Sequence, residues 1–147
     1  MKNKFRYLRH TADVSFFAYG DTEEECFKNS AEAMINLMFD FPLIKKENKK
    51  NIKQITLNEK ASNKDDLLWF FLQKIISTIY IKSIVITNIK NIKISNKNNV
   101  FSITSKLNFL ITKNQEYFLM DVKAVTPHQL IIKEINGKYR SHVVLDI

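Results

Sequence analysis

Across 147 residues the chain holds only two glycines, Gly20 and Gly137. A Walker phosphate loop or a GxGxxG dinucleotide turn needs several glycines in one short span, so nucleotide cradling by a Gly-rich loop is excluded. The placement of the second glycine is informative. A two-residue type I′ turn needs φ > 0 at both central positions, and Asn136-Gly137 tolerates this. It predicts an antiparallel hairpin between Ile131–Ile135 and the strand running from Lys138 to Asp146. The Asn-rich stretch 95–99 reads as a second hairpin turn, and with no glycine to supply a positive φ its type is not assigned.

A chain of this length fits one domain and can bury about 70% of its unfolded surface. Its 45% hydrophobic and 12% aromatic content supplies the core. Cys26 is the only cysteine, which excludes intrachain disulfides and multi-Cys zinc sites and fits a reducing compartment. The opening MKNKFRYLRHTAD carries charge with no apolar run behind it, and the greasiest segment, Leu67 to Ile81, contains Gln73 and Lys74. No export or membrane-spanning signal is read, and the expected location is cytoplasmic. Basic residues outnumber acidic by 23 to 15, a net +8. Nearly all are lysines scattered among Asn and Ile, with Arg6, Arg9 and Arg140 the only arginines, so solvated surface is the first reading and a phosphate-binding footprint the second.

Periodicity supplies the elements. Phe5 to Arg9 and Val14 to Ala18 read as strands around His10-Thr11-Ala12-Asp13. Thr22 with Glu25 forms a capping box that starts a helix, Phe27, Ala31, Met34, Ile35 and Met38 give it one apolar face, and Asp40-Phe41-Pro42 ends it. Residues 43–51 read as a polar loop and Ile52 to Leu57 as a brief strand. A second helix is predicted from Ser62–Asp65 to about Tyr80, burying Leu68, Phe71, Leu72, Ile75, Ile76 and Ile79. From Ser83 the period is two: Ile84 and Ile86, Ile92 and Ile94, then Phe101 to Phe109. Phe118, Met120, Val122 and Ala124 alternate again, Pro127 breaks the ladder, and Leu130 to Ile135 resumes it. The expected class is α+β, with two helices on one face of a mostly antiparallel sheet and a single domain over residues 1–147.

Few residues suggest chemistry. Asp13 lies between Ala12 and Val14, where a carboxylate must be solvated, paired or metal-bound; a turn-capping Asp is the plainer reading. Asp146 precedes the carboxylate of Ile147 in a terminus that stays apolar and strand-like, and two adjacent negative groups repel unless a cation or donors compensate. If the first and last strands meet, Asp13, Asp146 and the Ile147 carboxylate or carbonyl form an all-oxygen cluster suited to Ca²⁺ or Mg²⁺. His10, His128 and His142 match no zinc pattern. His10 is a candidate outer donor to a carboxylate, and His128, after Pro127, a turn residue. Asp65 and Asp66 are explained by the positive end of a helix. Trp69, Phe70 and Phe71 read as core, unlike an RNA-stacking platform.

His10-Thr11-Ala12-Asp13-Val14, then Ala18-Tyr19-Gly20 and a capped amphipathic helix, resembles the opening of the archease family. Val122-Lys123-Ala124-Val125-Thr126, then His128, and the terminal Val144-Leu145-Asp146-Ile147 resemble its closing motif, with Asp65-Asp66-Leu67-Leu68 a weaker third match. The resemblance implies a compact α+β protein that is no enzyme itself. Its partner would be an RtcB-type tRNA-splicing RNA ligase, whose active-site histidine it helps to guanylylate, permitting multiple turnover and widening nucleotide use. It also implies metal ligands at Asp13, Asp146 and Ile147, with Ca²⁺ the expected ion and Mg²⁺ or Mn²⁺ the alternatives. Lys123 would meet the partner, orient a carboxylate or simply be solvated. The chain departs from the family in its basic charge, in the apolar run after Leu68, and in lacking glycine and histidine between Phe109 and Tyr117. Other readings of the same carboxylates and lysines are a metal-dependent hydrolase or nuclease, and an RNA chaperone or modulator of another RNA enzyme.

Overall fold

A computed structural model describes residues 3–47 and 51–147. Strands β1 (Phe5–Arg9) and β2 (Asp13–Gly20) form the first hairpin, joined by a turn in which the His10 N–H donates to the Asp13 carbonyl (3.1 Å). Helix α1 (Glu23–Met38) follows, capped by Thr22, whose hydroxyl accepts the Glu25 N–H at 3.1 Å. The Glu25 carboxylate reaches past Thr22 to the Asp21 N–H (3.3 Å), so the capping box is offset by one residue from the expected form. Three glutamates in the first turn complement the positive end of the helix dipole.

The stop signal after α1 is also a start signal. Asp40 accepts the Leu43 N–H at 3.0 Å and Pro42 occupies the first turn, where its missing N–H has no partner to lose. The result is α2 (Phe41–Lys46), a short helix where a loop was expected; residues 48–50 of that loop lie outside the described residues. Strand β3 (Lys53–Ala61) runs four residues beyond the expected Leu57 because it stays paired as far as Ala61 opposite Phe101. Helix α3 (Lys64–Lys82) is capped by Asn63 and ends on Ser83 in the left-handed region (φ 53°). All six apolar residues expected on its inner face are buried.

Strands β4 (Ile84–Lys97) and β5 (Val100–Ile111) form one long hairpin. Register shifts between Ile86 and Asn88 and between Lys90 and Lys93 interrupt the alternation, which explains why the sequence reads as separate short strands. Asn98 (φ 52°) and Asn99 (φ 62°) make the turn, so asparagine takes both left-handed positions without glycine. Strands β7 (Ile131–Ile135) and β8 (Lys138–Asp146) meet as expected through Asn136 (φ 54°) and Gly137 (φ 78°).

The strand expected from Phe118 to Ala124 is largely not one. A 3-10 turn (Gln115–Tyr117) leads into irregular backbone in which Phe118 makes one isolated bridge to Phe39, and the strand proper is β6 (Ala124–Val125), paired with β8. Burial does alternate there, since Val122 is buried while Leu119 and Asp121 are exposed. Alternation reports burial, and here the backbone groups find partners outside a ladder.

The described strands form two antiparallel sheets rather than one: β1-β2-β8-β6 with β7 also on β8, and β3-β5-β4. Helices α1 and α3 each pack against strands of both, in keeping with the α+β class, with α2 a third, minor helix. Val14, Phe16 and Ala18 of β2 and Val143 and Leu145 of β8 belong to the core. Gly20 ends β2 against α1, so close that a Cβ would lie 2.3 Å from the Cys26 backbone nitrogen. Among the described residues no helix is long and apolar enough to cross a membrane.

Candidate functional site

The first residue of β2 and the last of β8 face each other: Asp13 is in register with Asp146. Side chains directly opposite in an antiparallel pair share a face, with Cβ atoms about 5 Å apart. The neighbouring pair, Val14 and Leu145, is buried, so alternation turns both carboxylates to the helix-free side of the sheet. Asp13 is half-buried and Asp146 exposed. Ile147 packs its side chain against the core, which anchors the residue next to Asp146. The Asp146 carbonyl is already used, accepting the Lys123 N–H at 2.8 Å.

Lys123 is held beside this end of the sheet by a strap that the sequence reading did not find. Three side chains of α3, spaced so that they share one helix face, hold the segment 121–125. Trp69 Nε1 donates to the Val125 carbonyl (2.8 Å), Gln73 Oε1 accepts the Val125 N–H (3.0 Å), and the Tyr80 hydroxyl bonds to the Val122 carbonyl (2.9 Å) and the Asp121 carboxylate. Both backbone groups of Val125 are thus satisfied by one helix, and Ala124 is fixed opposite Asp146. Burial, reinforced by Asp121, pushes the Tyr80 hydroxyl well above the ordinary tyrosine range. The available signal was the polar tips of Trp69, Gln73 and Tyr80 on an otherwise apolar helix.

Other singled-out residues have structural partners. Asp65 does more than complement a helix end: its Oδ1 accepts the Ile132 N–H at 2.9 Å and ties α3 to β7. Asp66 exchanges hydrogen bonds with the capping Asn63. His10 contributes its backbone N–H to the turn before Asp13, while its residue is exposed. His128 sits in the turn after Pro127, its carbonyl accepting from Thr126 Oγ1 (3.3 Å). His142 lies farther along β8 with Nδ1 3.2 Å from the Gln129 carbonyl.

Among the described residues no three His, Cys, Asp or Glu side chains gather to hold a metal ion. The set at the sheet end is two aspartates in register, with Ile147 next in sequence. An all-oxygen set of this kind, open to water, matches the preference of Ca²⁺ and Mg²⁺ and offers nothing to a thiolate- or imidazole-seeking metal.

Comparison with known proteins bears on the family and the fold. The model of the Archease protein family (MTH1598/TM1083) matches residues 5–147. An archease of Methanosarcina barkeri is 33% identical over 145 residues, covering 98% of this chain and 96% of the relative. The solution structure of Methanobacterium thermoautotrophicum protein 1598 superposes with a TM-score of 0.81 at 27% identity, covering 98% of this chain and 99% of the other. A Thermotoga maritima crystal structure, described as an archease and possible chaperone, shares the fold at TM-score 0.58 and 15% identity over 95% and 94% of the two chains. A family match spanning both ends of the sheet that joins Asp13 to Asp146 leads to one conclusion: this chain belongs to the archease family.

Proposed function

We propose that the protein is a non-catalytic partner of an RtcB-type tRNA-splicing RNA ligase, promoting guanylylation of the ligase's active-site histidine and repeated turnover, with wider nucleotide use. The carrying observation is the register of Asp13 with Asp146 at an open sheet end in an archease-family chain. The coarser form, a chaperone-like role towards another protein, is supported by the description of the Thermotoga maritima protein as a possible chaperone.

In this reading Asp13, Asp146 and an Ile147 carboxylate or carbonyl oxygen would hold one divalent cation, Ca²⁺ ahead of Mg²⁺ or Mn²⁺. A bound cation would neutralise the repulsion between the carboxylates and offer open coordination positions to the partner. The chain's own residues set the donors: β2 and β8 fix the two aspartates, Ile147 anchors the terminus in the core, and the α3 strap holds Lys123 alongside.

The test is GMP loading of a cognate ligase with and without the protein. Asp13→Ala and Asp146→Ala should each abolish stimulation while circular dichroism and melting stay native. Full stimulation by either folded variant removes the acidic tip from the mechanism. RNA hydrolysis by the purified chain alone would replace the reading with a metal-dependent nuclease.

A further inference from the structure

The helix-free face of the five-stranded sheet carries a second feature, away from the aspartates. Register places Arg6 beside Phe17 and Phe17 beside His142, with Tyr19 beside Arg140 in the adjacent row. The Arg6 and Arg140 guanidinium carbons lie 5.5 and 5.1 Å from the Phe17 ring centre. The His142 ring lies 4.9 Å from it, tilted by 32°. Lys133 continues the second row through its pairing with Arg140. Two of the chain's three arginines thus bracket one aromatic ring.

Both guanidiniums lie over the Phe17 ring, but no carboxylate of the described residues neutralises them. Among the described residues the ion pairs engage lysines: Lys4 with Glu32 (3.6 Å), Lys64 with Glu23 (2.6 Å) and Lys138 with Asp21 (3.5 Å). Neither Arg6 nor Arg140 forms an ion pair with a carboxylate there. A groove of about 690 Å³ opens at the same end of the sheet, lined in part by Lys4, Arg6, Tyr19 and Arg140. Its acidic residues are engaged locally, Asp21 with Lys138 and Glu25 with the Asp21 N–H.

We infer that this face binds single-stranded RNA, with unpaired bases stacking on the Arg6 and Arg140 guanidiniums that Phe17 supports from beneath, and with phosphates meeting the guanidiniums and Lys133. Three observations together select this ligand. Flat π and guanidinium planes suit exposed bases. The free positive charge suits phosphates, and the net +8 of the chain favours polyanions in general. An acidic peptide would need the charges and have no use for the ring. The site is independent of the acidic tip, so it goes beyond the proposed ligase role and can fail without it.

Filter binding of a labelled ten-nucleotide single strand to the full-length protein, across 50–200 mM salt, tests it. The same sequence as a duplex and a decaglutamate peptide serve as competitors. The single strand should bind, with affinity falling as salt rises, and both competitors should displace it poorly. Arg6→Gln with Arg140→Gln, at exposed and half-exposed positions, should weaken binding at least about tenfold and lower the log–log salt slope by about 1.4. Phe17→Leu should cost about tenfold at little change in slope, since stacking carries no charge. Should Phe17→Leu fail to fold, the arginine pair alone decides. Absence of binding at 50 mM salt, unchanged affinity in the arginine pair, or equal competition by decaglutamate overturns the proposal; the last would make the face a dock for an acidic protein.

Discussion

At the scale of single residues, the two glycines do different jobs and should fail differently. A methyl at Gly20 meets backbone atoms of Cys26 at 2.3 and 2.8 Å, and backbone cannot rotate away. Gly20→Ala should therefore cost about 3 kcal/mol in urea unfolding, as β2 is forced off α1. Gly137 has open space but a φ of +78°, so Gly137→Ala should cost only the left-handed penalty, about 1 kcal/mol. Cys26 is fully buried, and burial pushes its thiol up from 9.0 to about 11. The unfolded chain then loses this proton before the folded one does. Stability is fully present below pH 9 and falls as pH rises from 9 towards 11, by roughly 2 kcal/mol from this group. Tyr7, whose hydroxyl donates to the Ala33 carbonyl and is raised by burial to about 12, extends the decline from pH 10 upward. Urea midpoints at pH 7, 9 and 10.5 check the window, and in Cys26→Ala the loss between pH 9 and 10 should shrink.

At the scale of elements, the strap from α3 to residues 121–125 is the weakest-looking and most consequential assembly. Trp69→Phe removes the donor to a Val125 carbonyl and should cost about 1–2 kcal/mol. Gln73→Leu strands the Val125 N–H and should speed amide exchange in 121–125 more than it lowers global stability. This is also where sequence reading ran out. Thr22, Asn136-Gly137 and the buried face of α3 were legible because each is a local rule with its partner a few residues away. Residues 118–123 kept the rhythm of a strand, yet Leu119, Val122 and Lys123 find their backbone partners in Met38, Tyr80 and Asp146, far off in sequence, which no period reveals. Asp40 and Pro42 carried both meanings, stop and start, and only the Leu43 N–H bond decides between them. Of the candidate site, the meeting of Asp13 with Asp146 was anticipated from the ordered apolar terminus, while Tyr80, Gln73 and Trp69 were missed because aromatic and amide tips on an apolar helix look like core.

At the scale of the whole molecule, the helices pack against both sheets while one face of the larger sheet remains free of them. On that face the aspartate pair and the Phe17 row lie four residues apart along β2, about 13 Å. Trp69 is the only tryptophan in the chain, and its indole N–H is committed to Val125, one residue from the partner of Asp146. Intrinsic indole emission therefore comes from a single probe wired to the sheet end. Titration with Ca²⁺ or a partner that disturbs residues 121–125 should shift its wavelength without any label being introduced.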